Sequence, residues 1–164
     1  MKTLLTAALS LFLLNSCVFE SPFESTAKFP TEPGLVGRWE EVKEAPDGAP
    51  DRMLVLQNSP NEYVVEYPMG EKAMFFRAFT VELEGVKYVQ VQLIGNYEDS
   101  VKPEDRKFHL LKVTTTADEL EMSTIDAEVI GKDLGDSAKM KAAFTTHKDD
   151  KNLFEKPVKF RRVK

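Results

Sequence analysis

From Leu35 to Val163 the chain falls into short runs rich in β-branched and aromatic residues, separated by Pro, Gly, Asn and Asp. This spacing limits the fold more than any other feature, because each run is a strand length and each gap is a turn. The runs are Leu35 to Lys43, Arg52 to Gln57, Glu62 to Tyr67, Ala73 to Leu83, Val86 to Ile94, Lys107 to Thr115, Glu119 to Ile125 and Pro157 to Val163. The connections Asn58-Ser59-Pro60-Asn61, Pro68-Met69-Gly70, Glu84-Gly85 and Thr116-Ala117-Asp118 carry hairpin chemistry and predict an antiparallel meander. One stretch departs from strand alternation. Asp136-Ser137 opens a segment with Met140, Ala143, Phe144 and His147 at helical spacing, which predicts a helix from Ser137 to His147, with Asp126 and Asp136 as candidate caps of helical turns. A meander with open edges is exposed to edge pairing, and closure removes the edges. The expected fold is therefore mainly β, a small antiparallel eight-stranded barrel over residues 35–164 with one short helix before the last strand.

A chain of 164 residues suits a single domain, and 42% hydrophobic residues with 11 Phe give it a sizeable core and exclude a wholly disordered protein. The net charge of -5, with no long basic run, argues against nucleic-acid binding. The basic C-terminal stretch alternates Lys159, Arg161 and Arg162 with Val158, Phe160 and Val163, which suits a strand better than a basic arm.

Residues 1–16 differ from everything that follows. Lys2 precedes an uncharged apolar run from Leu4 to Leu14, which has the layout of a secretory signal peptide and falls short of the roughly 20 apolar residues a membrane-spanning helix needs. The run ends in Leu14-Asn15-Ser16-Cys17, which resembles the lipobox of bacterial lipoproteins. The resemblance implies that Cys17 becomes the first mature residue and receives a diacylglyceryl group. It also implies an exported, membrane-anchored protein, and Val18 in place of Asp after the cysteine implies the outer membrane where the host has one. Cys17 is the one cysteine of the chain, so no internal disulfide is available to an exported protein of this sequence. The ordinary alternative is a signal peptide that happens to contain a cysteine. Two or three acyl chains would hold the protein firmly, since each buried CH2 contributes about 0.8 kcal/mol.

Residues 17–34 are expected to form the lipidated cysteine and a mobile tether, because Val18 to Pro33 combines three Pro with scattered Ser and Thr and lacks periodicity. Phe19, Phe23 and Phe29 could instead lie on the domain or at the lipid interface.

Gly37-Arg38-Trp39 in the first strand and Phe160-Arg161-Arg162 in the last resemble the Gly-x-Trp signature and the C-terminal Arg of lipocalins. In that family the Trp packs across the barrel base beneath the Arg. The resemblance implies a lipocalin-like barrel closed by Gly37, Trp39 and Arg162, with Arg162 as the partner because Phe160 and Arg162 share a face.

The strand Ala73 to Leu83 places Phe75, Arg77, Phe79, Val81 and Leu83 on one face. If that face lines the interior, Arg77 could take the carboxylate or phosphate head of an amphipathic ligand while Phe75 and Phe79 hold its tail. Arg77 could equally pair with a glutamate or snorkel from the barrel mouth. His109 alternates with Leu111 and Val113 and reads as inward-facing, which makes it a further candidate ligand-binding residue beside Arg77, Phe75 and Phe79. With His147 as the only other histidine and Cys17 assigned to the anchor, a zinc site has too few ligands. Glu98-Asp99, Glu104-Asp105, Asp118-Glu119 and Asp149-Asp150 read as solvated loop charges. The sequence contains no Gly-x-Ser-x-Gly elbow, Walker loop, dinucleotide fingerprint or His-Glu-x-x-His. Neither catalysis, a cofactor nor a metal is expected. The reading is a lipid-anchored envelope lipoprotein whose barrel binds a lipid or other small apolar or amphipathic molecule. The alternative is a non-catalytic interaction or structural module with a filled barrel that meets another envelope protein.

Overall fold

The computed structural model describes residues 18–43, 48–131 and 134–164. The expected signal peptide and Cys17 lie outside the described residues.

Strand β1 (Gly37–Glu41) is followed by β2 (Arg52–Ser59), β3 (Glu62–Tyr67), β4 (Met74–Leu83), β5 (Val86–Asn96), β6 (Phe108–Thr115), β7 (Glu119–Thr124) and β8 (Val158–Arg162). Each strand pairs with its neighbour in sequence, and β8 pairs antiparallel with β1, so the eight strands form a closed barrel. Closure gives every strand two partners and leaves no edge for another chain to extend. Two helices, rather than one, precede β8: α1 (Ala127–Ile130) and α2 (Ser137–His147). Both begin at the expected aspartates. The Asp126 carboxylate accepts from the amide of Glu128 and the Asp136 carboxylate from that of Lys139, each at 2.8 Å, satisfying N–H groups that have no partner within the helix.

The pairing register decides which side chains enter the barrel. Trp39 opposes Arg162 and Met53, Val65 opposes Phe76, Tyr63 opposes Ala78, Val91 opposes both Ala78 and His109, and Leu120 opposes Phe160. Opposed residues share a face. Trp39, Met53, Val55, Tyr63, Phe76, Ala78, Val91, Leu120 and Phe160 form one buried cluster, the barrel interior. The other face of β4, β5 and β6 carries Phe79, Val81, Leu83, Tyr88 and Leu110, which are buried in a second cluster with Met140 and Phe144 of α2. The barrel wall is thus apolar on both sides where it lies under the helix.

Phe19 and Phe23 belong to this second cluster and are 0% exposed. The mobile tether expected over residues 17–34 is corrected for its described part: residues 18–34 form a strap fastened to the barrel. Phe19 exchanges two backbone hydrogen bonds with Phe108, at 2.9 and 3.0 Å. Farther along, the Asn61 amide donates to the Ala27 carbonyl at 3.4 Å, and the Thr31 amide donates to Pro60 O at 2.8 Å. The physical reason is the aromatic content. Two Phe side chains with an apolar wall beneath them offset the ordering entropy that Pro, Ser and Thr alone could not.

Candidate functional site

The barrel has a base, where the β2–β3, β4–β5 and β6–β7 turns lie, and a rim, where β6 begins. At the base a short 3-10 turn (Pro33–Leu35) brings Leu35 under the barrel, 8% exposed. The Trp39 indole donates to Leu35 O at 3.0 Å. The guanidinium carbon of Arg162 stands 4.1 Å from the Trp39 ring centroid. The same guanidinium donates to Gly34 O at 2.6 Å, Ala117 O at 2.7 Å and Val36 O at 2.9 Å. Arg162 therefore joins the strap, β1 and the β6–β7 turn around one planar cation, a task that uses its fork of fixed donors. Gly37 has φ +145°, and a Cβ there would come within 2.5 Å of Arg162 Nη1. Only glycine leaves room for the arginine. Gly37, Trp39 and Arg162 thus meet in one cluster. It closes the base.

The row proposed to grip a ligand does not line the interior. Phe76, Ala78 and Thr80 are the buried inward residues of β4, and the interleaved Phe75, Arg77 and Phe79 face outward. That assignment of Arg77, Phe75 and Phe79 as an interior ligand site is corrected. The sequence misleads because β4 is apolar on both faces, so alternation alone leaves the inward parity undecided. Arg77 pairs with Glu62 and lies with its guanidinium carbon 5.1 Å from the Phe79 ring centroid. The Arg77 guanidinium holds the Glu62 carboxyl below the usual carboxylate range, against a smaller opposing effect of burial. Phe79 is 2% exposed in the outer cluster, and Phe75 meets Tyr97 edge to face at 5.1 Å. A groove of about 340 Å³ runs past Arg77 between Thr26 and Ala27 of the strap and the β2–β3 turn.

His109 is inside, as parity expects, opposite Val91 and 4% exposed. Glu41 and Tyr67 also occupy inward register near the rim, and the Tyr67 ring meets Phe160 edge to face at 6.0 Å. Burial, with the Glu41 and Asp51 carboxyls nearby, pushes the Tyr67 phenol far up. Burial also raises the Glu41 carboxyl, with Asp51 reinforcing and Lys43 opposing. Phe154 stacks on Tyr88 outside the barrel at 5.7 Å, and does not reach this cluster. Among the described residues no group of three or more His, Cys, Asp or Glu side chains is arranged to hold a metal ion.

A second cavity, of about 240 Å³, lies near the base and is lined among others by Leu35, Thr80, Val89 and Thr115. It is smaller than the roughly 300 to 1,000 Å³ of drug-sized ligand sites.

Sequence reading missed the residues that fasten the strap. Gln90, on the outer face of β5 and 1% exposed, accepts from the amides of Phe23 at 2.7 Å and Glu24 at 3.1 Å and donates to Glu24 O at 2.8 Å. A glutamine side chain can accept and donate at once, and here it does both for a segment that has no sheet partner at that point. Lys141 of α2 pairs with Glu24, and the Ser137 hydroxyl donates to Pro22 O at 2.5 Å. The available signal was Phe19 and Phe23, two of the three Phe in a largely polar, Pro-rich stretch.

Comparison with protein-family models, with curated proteins and with solved structures gives no significant match to this chain. The fold itself, a closed eight-stranded antiparallel barrel with two short helices, is consistent with a lipocalin-like barrel.

Proposed function

We propose that this chain is an exported lipoprotein, acylated at Cys17 and held at the envelope membrane, whose barrel is a non-catalytic interaction module acting through its surface. The anchoring rests on Lys2, the apolar run from Leu4 to Leu14 and the Leu14-Asn15-Ser16-Cys17 sequence. The surface mode of action rests on one observation: the rings of Trp39, Tyr63, Phe76 and Phe160 lie inside the barrel in one buried cluster. Small barrels are commonly packed in this way, and a ligand with an acyl tail would have to displace those rings. The partner class is another envelope protein.

Two measurements test the reading. Cys17→Ala in a bacterial host with two membranes is expected to move the protein out of the outer-membrane fraction; unchanged fractionation would overturn the anchor. Native mass spectra of the purified full chain are expected to show the acylated protein with no further lipid, and photo-crosslinkers at exposed positions to give discrete adducts with an envelope protein. A retained lipid released by denaturation would instead favour a ligand-binding barrel.

A further inference from the structure

The strap sets how the barrel would stand on a membrane. Phe19 is bridged to Phe108 at the first residue of β6, hence at the rim. From there the strap passes Gln90, Asn61 and Pro60 and ends in the turn beneath the base. It is fastened at both ends of the barrel and between them, so it has no slack to pay out. Glu20 adds an ion pair with Lys107 at 2.8 Å, on the residue preceding β6. Only Val18 separates Cys17 from Phe19, and the two residue steps between them span at most about 7 Å. A free tether over residues 17–34 would instead wander by roughly 20 to 25 Å.

We propose that the rim end of the barrel, around the β5–β6 loop, is a lipid-facing surface: acylation at Cys17 would hold that end against the bilayer and turn the base, with Trp39 and Arg162, away from it. This rests on the lipoprotein reading and deepens it. The rim also carries Val42, 50% exposed, and Tyr97, 64% exposed; a tyrosine with an apolar ring and a polar tip suits the headgroup level. The other large exposed apolar side chains among the described residues, Leu56 and Val86, lie within β2 and at the base. The acidic net charge of -5 gives anionic lipids no general attraction for the domain, so the short, fastened chain supplies the orientation. A partner protein would then meet the base or the walls, and the rim would be screened.

The test uses the full acylated chain in phosphatidylcholine vesicles containing a headgroup nitroxide lipid, with a fluorophore on Glu104→Cys at the rim or Asp118→Cys at the base. Both positions are exposed, and the two ends lie about 20 Å apart along the barrel axis, given eight residues in β6, the rise per residue and the usual strand tilt. Most of the fluorescence is expected to be lost at Glu104→Cys and retained at Asp118→Cys. Inserting twenty Gly and Ser residues between Val18 and Phe19 is expected to abolish the difference, since that linker reaches about 25 Å. Equal quenching at the two sites in a protein whose mass shows the acyl groups would overturn the orientation alone. Persistence of the difference with the long linker would overturn the strap as its cause. A mass without acyl groups would overturn the anchor and the orientation together.

Discussion

Phe23→Ala separates a fastened strap from a tether more sharply than any other single change. The ring is 0% exposed, lies edge to face with Phe19 at 5.5 Å and with Phe144 at 6.3 Å, and its own amide donates to Gln90 at 2.7 Å. Truncating a buried Phe costs about 3 to 5 kcal/mol when the structure cannot collapse around the void, of which each edge-to-face pair supplies about 0.5 to 1.5 kcal/mol. The strap lies outside the closed barrel, so the loss is expected not to exceed the free energy of docking it. An observed loss near 3 kcal/mol is expected, equivalent to a fall in Tm of about 10 °C for a domain of this size. Trp39 provides the readout, because it is the single Trp of the chain and is 0% exposed at the base. Its fluorescence in urea reports unfolding of the barrel, and hydrogen exchange at Phe23 and Glu24 reports undocking. A further Phe19→Ala change should add less than its own single effect, since a released strap has nothing more to lose. A Phe23→Ala loss within about 0.5 kcal/mol, the range of surface substitutions, with unprotected Phe23 and Glu24 amides in the parent protein, would refute the docked strap.

Three other outcomes follow from the same contacts. Arg162→Lys keeps the charge but cannot reach three carbonyls in a fixed plane; a loss of about 2 to 4 kcal/mol is expected by urea unfolding, and a loss under about 0.5 kcal/mol would mean that the Trp39 cluster does not hold the base. The hydrogen bond from Lys141 keeps the Glu24 carboxyl below its ordinary 4.5, against the opposing effect of burial. A lowered native pKa contributes stability above 4.5 that is lost as pH falls through the native value. Acidification should therefore loosen the strap, and Glu24→Gln should remove that part of the pH dependence of exchange at Phe23; an identical pH profile in the variant would count against the pair. Burial raises the Glu41 carboxyl, so its sign is opposite: the charged form is costly in the folded state and stability falls as pH rises through the raised value. Glu41→Gln should raise Tm at pH 7, with a smaller gain at pH 4, and a lower Tm at pH 7 would show that the charge is needed.

Strand positions were legible because they are local. Val64, Val65 and Tyr67 in β3, or Val89 and Val91 in β5, announce extended backbone by residue type, and Pro60, Gly70 and Gly85 mark the turns between them. The helix was legible for a similar reason: Asp136 caps a segment whose Met140 and Phe144 recur at helical spacing and are both buried. Trp39 and Arg162 were legible through short signatures at the two ends of the meander. The interior was not. Phe75, Phe76, Ala78 and Phe79 are apolar on both sides of β4, and an extra residue in β5 between the Phe75–Gly95 and Phe76–Leu93 pairs shifts the register at the start of the strand. Period-two alternation identifies two faces but does not say which is inside.

The sequence by itself determined eight strands, their order and the capped helix, since each depends on neighbours within a turn or on the pairing of successive hairpins; Gly37, Trp39 and Arg162 were legible only through their resemblance to a family signature. Only the tertiary structure decided that Phe76 looks inward and Arg77 outward, and that Phe19 and Phe23 lie against the barrel wall. Those choices depend on contacts between residues far apart in sequence, such as Phe19 with Phe108 and Phe23 with Gln90. No local preference encodes them, and they exist only once the barrel has closed and presented a second apolar face for the strap to cover.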